Sequence, residues 1–400
     1  MVRPRSLALA LAPGTLLAGV AGGIVFPIFP IVGLRVGLSL PFIGVILAAN
    51  RAVRVVASPL IGMIADRFGS RRTMLAGLAI QIVVIGLYML GMVIGHPGAC
   101  FLAGRMLHGV GSACVFVSAQ SLALHGARPA KGGGTAGVVR AAIVIGVPIG
   151  LAAGGLLADL IGEEWTFGVA GLAVVVALIG ATFTVPDLGT RARVRPPLTA
   201  TLRAMRDRRM LAIGSLNFAI GFTAGGMILS TLTLLVRSHH IVLFGRDVQG
   251  TAGLLMAWMT ILDAIVTPFA GRLGDQRHAH ARVGAASMLL LVGGLVAIGL
   301  SHATIGLAFG LALVGFGTAG LGPSLLVLLG ELTPIEQRGT GVGLMQLCGD
   351  SGGMLGPLVG TALFVGSSTL PYLATAGLVL CFLPVALWLA RLERRATVPA

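Results

Sequence analysis

The sequence predicts an all-α membrane protein of about twelve transmembrane helices arranged as two pseudo-symmetric six-helix halves. Three observations carry this. The 400-residue chain is 56% hydrophobic and only 10% charged, with a mean hydropathy of +0.99, whereas about a quarter of a soluble domain is charged. Its apolar runs reach the ~20 residues needed to cross a hydrocarbon core, and they are continuous rather than alternating, so they read as helices and not as barrel strands. A short charged stretch near residue 66 recurs in degenerate form near residue 275, which marks an internal repeat.

Taken in order, the spans fall at approximately 7–33, 40–64, 73–95, 98–124, 134–160, 165–186, 211–236, 249–271, 281–300, 303–330, 340–366 and 370–390. The first follows Arg3 and Arg5 and runs to about Val32, too long for the apolar core of a signal peptide. Between the sixth and seventh spans lies the one long polar connection, 187–209. It holds Arg191, Arg193, Arg195, Arg203, Arg206, Arg208 and Arg209, with Pro196-Pro197. The chain therefore divides into an N-terminal half (1–186), a basic linker (187–209) and a C-terminal half (210–400).

A net charge of +15 in a soluble protein would suggest nucleic acid. Here the arginines sit in short loops between apolar runs, where they set topology. With both termini cytoplasmic, about 21 of the 28 Lys+Arg lie on that side. Arg35, Arg237 and Arg246 lie outside, and Glu163-Glu164 occupy an external loop. Cys100, Cys114, Cys348 and Cys381 lack paired spacing and read as small hydrophobes.

The recurring stretch is Gly62-Met63-Ile64-Ala65-Asp66-Arg67-Phe68-Gly69-Ser70-Arg71-Arg72, echoed by Gly271-Arg272-Leu273-Gly274-Asp275-Gln276-Arg277. Gly62 and Gly69 read as points of close backbone approach in a tight turn between two spans, with Asp66 available to neighbouring donors. This pattern resembles the signature loop of the major facilitator superfamily, G-x-x-x-D-R-x-G-x-R-R between helices two and three. Other segments repeat as well: Gly134-Thr135-Ala136-Gly137-Val138 pairs with Gly339-Thr340-Gly341-Val342-Gly343. Parallel six-helix repeats enclosing a central site are the architecture such a resemblance implies. It covers essentially the whole chain, and it casts Gly62, Asp66, Arg67, Gly69, Arg71, Arg72, Gly271 and Asp275 as a gating loop.

Charges inside spans each call for a reason, because burial at the bilayer centre costs at least ~2.5 kcal/mol. There are four arginines, Arg51, Arg54, Arg105 and Arg140, and two aspartates, Asp263 and Asp350. Arg105, in Gly104-Arg105-Met106-Leu107-His108-Gly109, is similar to the family's second motif, whose arginine is associated with proton coupling in antiporters. His108 is its candidate proton partner. Arg54 precedes Asp66 by twelve residues and Asp263 precedes Asp275 by the same twelve, so opposite charges occupy equivalent positions. The family arrangement implies that Arg51 or Arg54 meets Asp350 and that Arg140 meets Asp263 as the halves rock. Protonation of either aspartate would then bias the conformation.

Proline and glycine mark candidate hinges. Pro27 and Pro30, three apart, predict a kinked or unwound first span. In span five, Pro148, Gly150, Gly154 and Gly155 resemble the antiporter motif G-P-x-x-G-G, with Leu151 standing where that motif has proline. Span eleven keeps the Gly356-Pro357 form. The plainer reading of these glycines is close helix packing.

No H-E-x-x-H, phosphate loop or nucleophile elbow is present, and the loop histidines His239-His240 and His278-Ala279-His280 make poor metal sites. The reading is therefore a non-enzyme without cofactor: a monomeric secondary transporter of small molecules in a bacterial-type inner membrane, energised by protons. The resemblance is greatest to the twelve-helix drug/proton antiporters. Four intramembrane arginines against two aspartates, and no acid in span one, support the alternative of a small organic anion or zwitterion, imported or exported.

Overall fold

The computed structural model describes residues 4–94, 96–125, 132–187, 189, 206–277, 279–333 and 338–397. Among these no strand forms. The helices are α1 (Pro4–Arg35), α2 (Leu40–Phe68), α3 (Ser70–Val93), α4 (Pro97–His125), α5 (Gly132–Ile161) and α6 (Glu163–Thr184). They continue with α7 (Arg208–Ser238), α8 (Val248–Arg277), α9 (His280–Leu300), α10 (Thr304–Leu332), α11 (Arg338–Phe364) and α12 (Leu370–Thr397). Eleven of them are long and apolar enough to cross a membrane, with α11 the remaining long helix. The fold is an all-α membrane fold, as the apolar runs predict. Most of the linker lies outside the described residues.

The chain forms two compact units, Met1–Val194 with Phe244–Ala257, and Arg195–Leu243 with Trp258–Ala400. The first ten residues of α8 thus count with unit 1. Within unit 1, α1 packs on α5, and α3 packs on α4 and α6. Within unit 2 the pattern repeats, with α7 on α11, and α9 on α10 and α12.

In unit 1, Phe29, Tyr88, Phe101 and Phe167, from α1, α3, α4 and α6, meet edge to face with Phe29 at the centre. Its ring centroid lies 5.1 Å from Tyr88, 4.9 Å from Phe101 and 6.2 Å from Phe167. Such edge contacts add roughly 0.5–1.5 kcal/mol per pair beyond area burial.

Glycine sets the closest approaches. A Cβ on Gly146 would collide with Leu16 O, on Gly150 with Val20 O, and on Gly154 with Ile24 Cα at 2.7 Å, so α1 and α5 touch backbone to backbone. In lipid, dispersion between such surfaces replaces the hydrophobic drive that water would supply. The equivalent seam in unit 2 joins α7 and α11 at Gly221, Gly226, Gly349, Gly352 and Gly356.

The structure corrects three expectations. Helix α1 stays α-helical through Pro27 and Pro30, so it does not unwind there. The signature loop is mostly helix: α2 runs to Phe68 and α3 starts at Ser70, leaving Gly69 as the one-residue break. Gly69 takes φ +95°, which a side chain disfavours, and a Cβ on either Gly69 or Gly62 would meet nothing within 4 Å. Neither Gly62 nor Gly69 is therefore a point of close approach; what Gly69 supplies is its positive φ, and Gly271 has open space as well.

Candidate functional site

Unit 1 gathers three of its intramembrane cations, Arg51, Arg54 and Arg105, on α2 and α4. Gly109 allows this: a Cβ there would lie 2.6 Å from Asn50 O, so the two helices meet closely beside the polar residues. Arg105 is only 2% exposed. Its guanidinium donates to Leu47 O at 3.2 Å and lies 5.5 Å from the centre of the Phe26 ring on α1. A cation over an aromatic face gains roughly 0.5–2 kcal/mol, more where water is excluded. Arg105 Nε has no hydrogen-bond acceptor. Tyr88, whose ring packs against Gly104, is buried with its hydroxyl in the field of Arg105.

His108 and Asn50 are buried nearby, and the charges of Arg105 and Arg54 both act on His108. Arg51 and Arg54 are half-buried on α2. The structure thus brings Arg54, Arg105 and His108 into one neighbourhood. Arg140 lies on α5, and its side chain is outside the described residues.

Unit 2 holds the carboxylates. Asp350, on α11, is 5% exposed. Asp263, on α8, sits beside α10 where Gly315 admits it, with the Thr318 hydroxyl at hand. Both residues therefore occupy protein-facing positions of their spans. Trp258 Nε1 donates to Ala308 O at 3.1 Å, and Asn217 Nδ2 to Met345 O at 2.7 Å; each is a contact between helices of this unit.

The candidate hinge residues Gly150 and Gly154 lie along the α1–α5 seam, Pro148 is buried on the same helix, and Gly155 faces Gln249 O of α8. Gly356, preceding Pro357, faces Phe222 O and Met227 N. At the signature loop, Arg71 donates to Thr182 O at 2.6 Å, joining α3 to α6. Arg67 lies over the neighbouring Phe68 ring at 5.3 Å, Arg72 is exposed, and Asp66 is half-buried. At the second copy, His280 Nε2 meets Asp275 Oδ1 at 3.1 Å, with the imidazole buried and the carboxylate 68% exposed. The backbone N–H of Ala281 at the start of α9 donates to the buried Glu393 of α12 at 3.1 Å.

One cluster escaped the sequence reading. Glu163, at the start of α6, receives both guanidinium nitrogens of Arg35 at 2.9 and 2.7 Å, and Gln249 Nε2 at 2.9 Å. One helical turn earlier, Asp159 Oδ2 accepts the Gly250 N–H at 3.0 Å. The sequence reads Arg35 and Glu163 as topology determinants alone, and nothing in spacing pairs residues so far apart in the chain.

Unit 1 thus buries cations and unit 2 protects carboxylates, on helices that pack in the same order, and comparison with known proteins names the family. The model of the Major Facilitator Superfamily matches residues 11–245 and 240–400. A Multi-drug resistance efflux pump PmrA homolog of Lactococcus lactis is 26% identical over 76% of this chain and 74% of its own length. The 3-(3-hydroxy-phenyl)propionate transporter of Escherichia coli is 26% identical over 83% of this chain and 81% of its own. Among solved structures, the human organic anion transporter MFSD10 (TETRAN) aligns with a TM-score of 0.69 and 19% identity over 96% of this chain and 100% of that one. On the match along nearly its whole length, the chain belongs to the major facilitator superfamily of membrane transporters.

Proposed function

We propose that the protein is a proton-coupled exporter of small amphipathic compounds, working by alternating access with both termini in the cytoplasm of a bacterial-type inner membrane. The observation that carries this reading is the likeness to a multidrug efflux pump across three quarters of the chain. The protected carboxylates Asp263 and Asp350 supply groups able to take a proton inside the membrane-spanning region. The coupling scheme is that a proton binds one aspartate, weakens its attraction to an arginine of the other half, and so shifts the conformational balance. Pairing of Arg51 or Arg54 with Asp350, and of Arg140 with Asp263, belongs to this proposal. No nucleotide or cofactor enters it, and the protein works as a monomer.

The test is substrate-driven proton movement in liposomes holding a trapped pH dye. Imposed gradients of lipophilic cations produce proton counterflow, and Asp263→Asn or Asp350→Asn abolishes it. Counterflow unchanged in both variants overturns the coupling scheme.

A second reading has its own support. The buried Arg105, held by the neutral Leu47 carbonyl and the Phe26 ring, suits an anionic group better than a cation, and a relative of similar identity is the 3-(3-hydroxy-phenyl)propionate transporter of Escherichia coli. If small carboxylates drive proton movement where lipophilic cations do not, Arg105 belongs to a substrate site and the protein transports organic anions.

A further inference from the structure

The first turn of α8 is held by bonds that its own helix does not supply. The leading N–H groups of an α-helix have no internal acceptor. One of them, from Gly250, is taken by Asp159 at the end of α5, a carboxylate placed where the positive end of the helix dipole favours it. Its neighbour Gln249 donates from its side chain to Glu163, and Glu163 is clamped from the other side by the forked guanidinium of Arg35 at the end of α1.

Beneath these bonds lies bare backbone. A Cβ on Gly155 would collide with Gln249 O, and one on Gly253 with Leu151 O. Four elements (α1, α5, α6 and the start of α8) therefore converge on two acids, over a glycine seam where backbone meets backbone. Gly162, with φ +85°, forms the one-residue break between α5 and α6 and so sets Asp159 and Glu163 a turn apart on the same end.

Where glycine backbones meet, few side-chain atoms lie at the contact point itself, so the polar ties beside it carry much of the hold. We propose that Asp159 and Glu163 form a latch that holds residues 248–253 of α8 against α5. Closure of this end of unit 1 then depends on the Arg35–Glu163–Gln249 bonds. The proposal rests on the reading of cytoplasmic termini, which puts this end on the outer face, and it makes Glu163 a determinant of how often that face opens.

Ala252, fully buried in the latched segment, reports on it. The full-length protein with Cys100, Cys114, Cys348 and Cys381 replaced by serine and with Ala252→Cys is labelled by a membrane-impermeant maleimide, from outside in cells and from the other side in inverted vesicles. No substrate is added, so failure of the export reading leaves this result untouched. Glu163→Gln is expected to raise the outside labelling rate roughly three- to tenfold, the effect of losing one charge-assisted hydrogen-bonded pair. Arg35→Gln raises it less, because Gln249 still holds Glu163. The swap of Arg35→Glu with Glu163→Arg returns the rate toward that of the parent.

Faster labelling only in inverted vesicles supports the latch and overturns the orientation. Unchanged labelling on both sides in Glu163→Gln, Arg35→Gln and Asp159→Asn, each eluting as monodisperse protein, overturns the latch. Should Glu163→Gln fail to fold, Arg35→Gln and Gln249→Ala carry the same test.

Discussion

The two units solve the same packing problem with differently wound helices. In unit 1, α1 lies on α5 as a regular α-helix despite prolines at 13, 27 and 30. In unit 2, α7 lies on α11 but changes to a π-helix over Gly221–Ile228. The glycine contacts explain the change. Gly221 faces Gly349, and Gly226 faces Gly356. On an α-helix, residues five apart point about 140° from each other, so they cannot both face one neighbour. Bonding from i to i+5 turns the intervening segment by one extra residue and brings both glycines onto the same face. What recurs between the halves is the glycine-to-backbone seam, and local winding adapts to deliver it.

The largest effects should therefore follow from filling the seams. Gly150→Ala in unit 1 and Gly221→Ala in unit 2 each drive a methyl into a carbonyl oxygen that cannot rotate away. Each is expected to lower stability by roughly 1–3 kcal/mol or more, read as a fall in Tm of the detergent-purified protein. Gly62→Ala, with open space around it, serves as the contrast. Its effect should lie between zero and a gain of about 1 kcal/mol, since alanine is the better helix former. Equal losses in all three variants would show that the seams hold no special strain.

Charge gives the second contrast, since unit 1 buries Arg105 and unit 2 buries Asp350. Arg105 uses its shape as well as its charge, donating to Leu47 O while stacking on Phe26. Arg105→Ala is expected to reduce transport by roughly tenfold to a hundredfold, the scale of a lost charged hydrogen bond. Arg105→Lys should recover little of it, because an ammonium cannot keep both contacts. Full recovery in liposome flux by lysine would reduce the residue's role to that of a point charge.

How much of this was legible in the sequence follows from which forces act locally. Span number and limits were readable because a bilayer demands a continuous apolar run, whatever the partner helix. The glycine seams were readable in part, as small residues spaced for contact. Helical winding was not, since Gly221–Ile228 has the composition of any other stretch of span and its π form is imposed by α11. The Glu163 cluster was also hidden. Arg35, Glu163 and Gln249 stand at helix ends, where charged and polar residues are expected for topology, and only tertiary structure brings them together. His280 teaches the same lesson. Its sequence context reads as a loop, yet it opens α9 with its ring buried against Gly274 and bonded to Asp275.

The two signature loops supply the smallest expected difference. In unit 1, Arg71 reaches across to Thr182 O from a half-buried position. In unit 2, the tie at the loop itself runs from His280 of α9 back to Asp275 of α8, a carboxylate that is 68% exposed. Water competes fully for the second bond and only partly for the first, so their worth should differ although both join adjacent helical elements. Arg71→Ala is expected to cost about 1 kcal/mol, since the orphaned carbonyl loses a charged donor. Asp275→Asn should change stability by no more than about 0.5 kcal/mol. The two are compared by thermal unfolding of the purified variants in the same detergent. A greater loss in Asp275→Asn would mean that the degenerate copy of the loop, rather than the complete one, does more to hold its helices together.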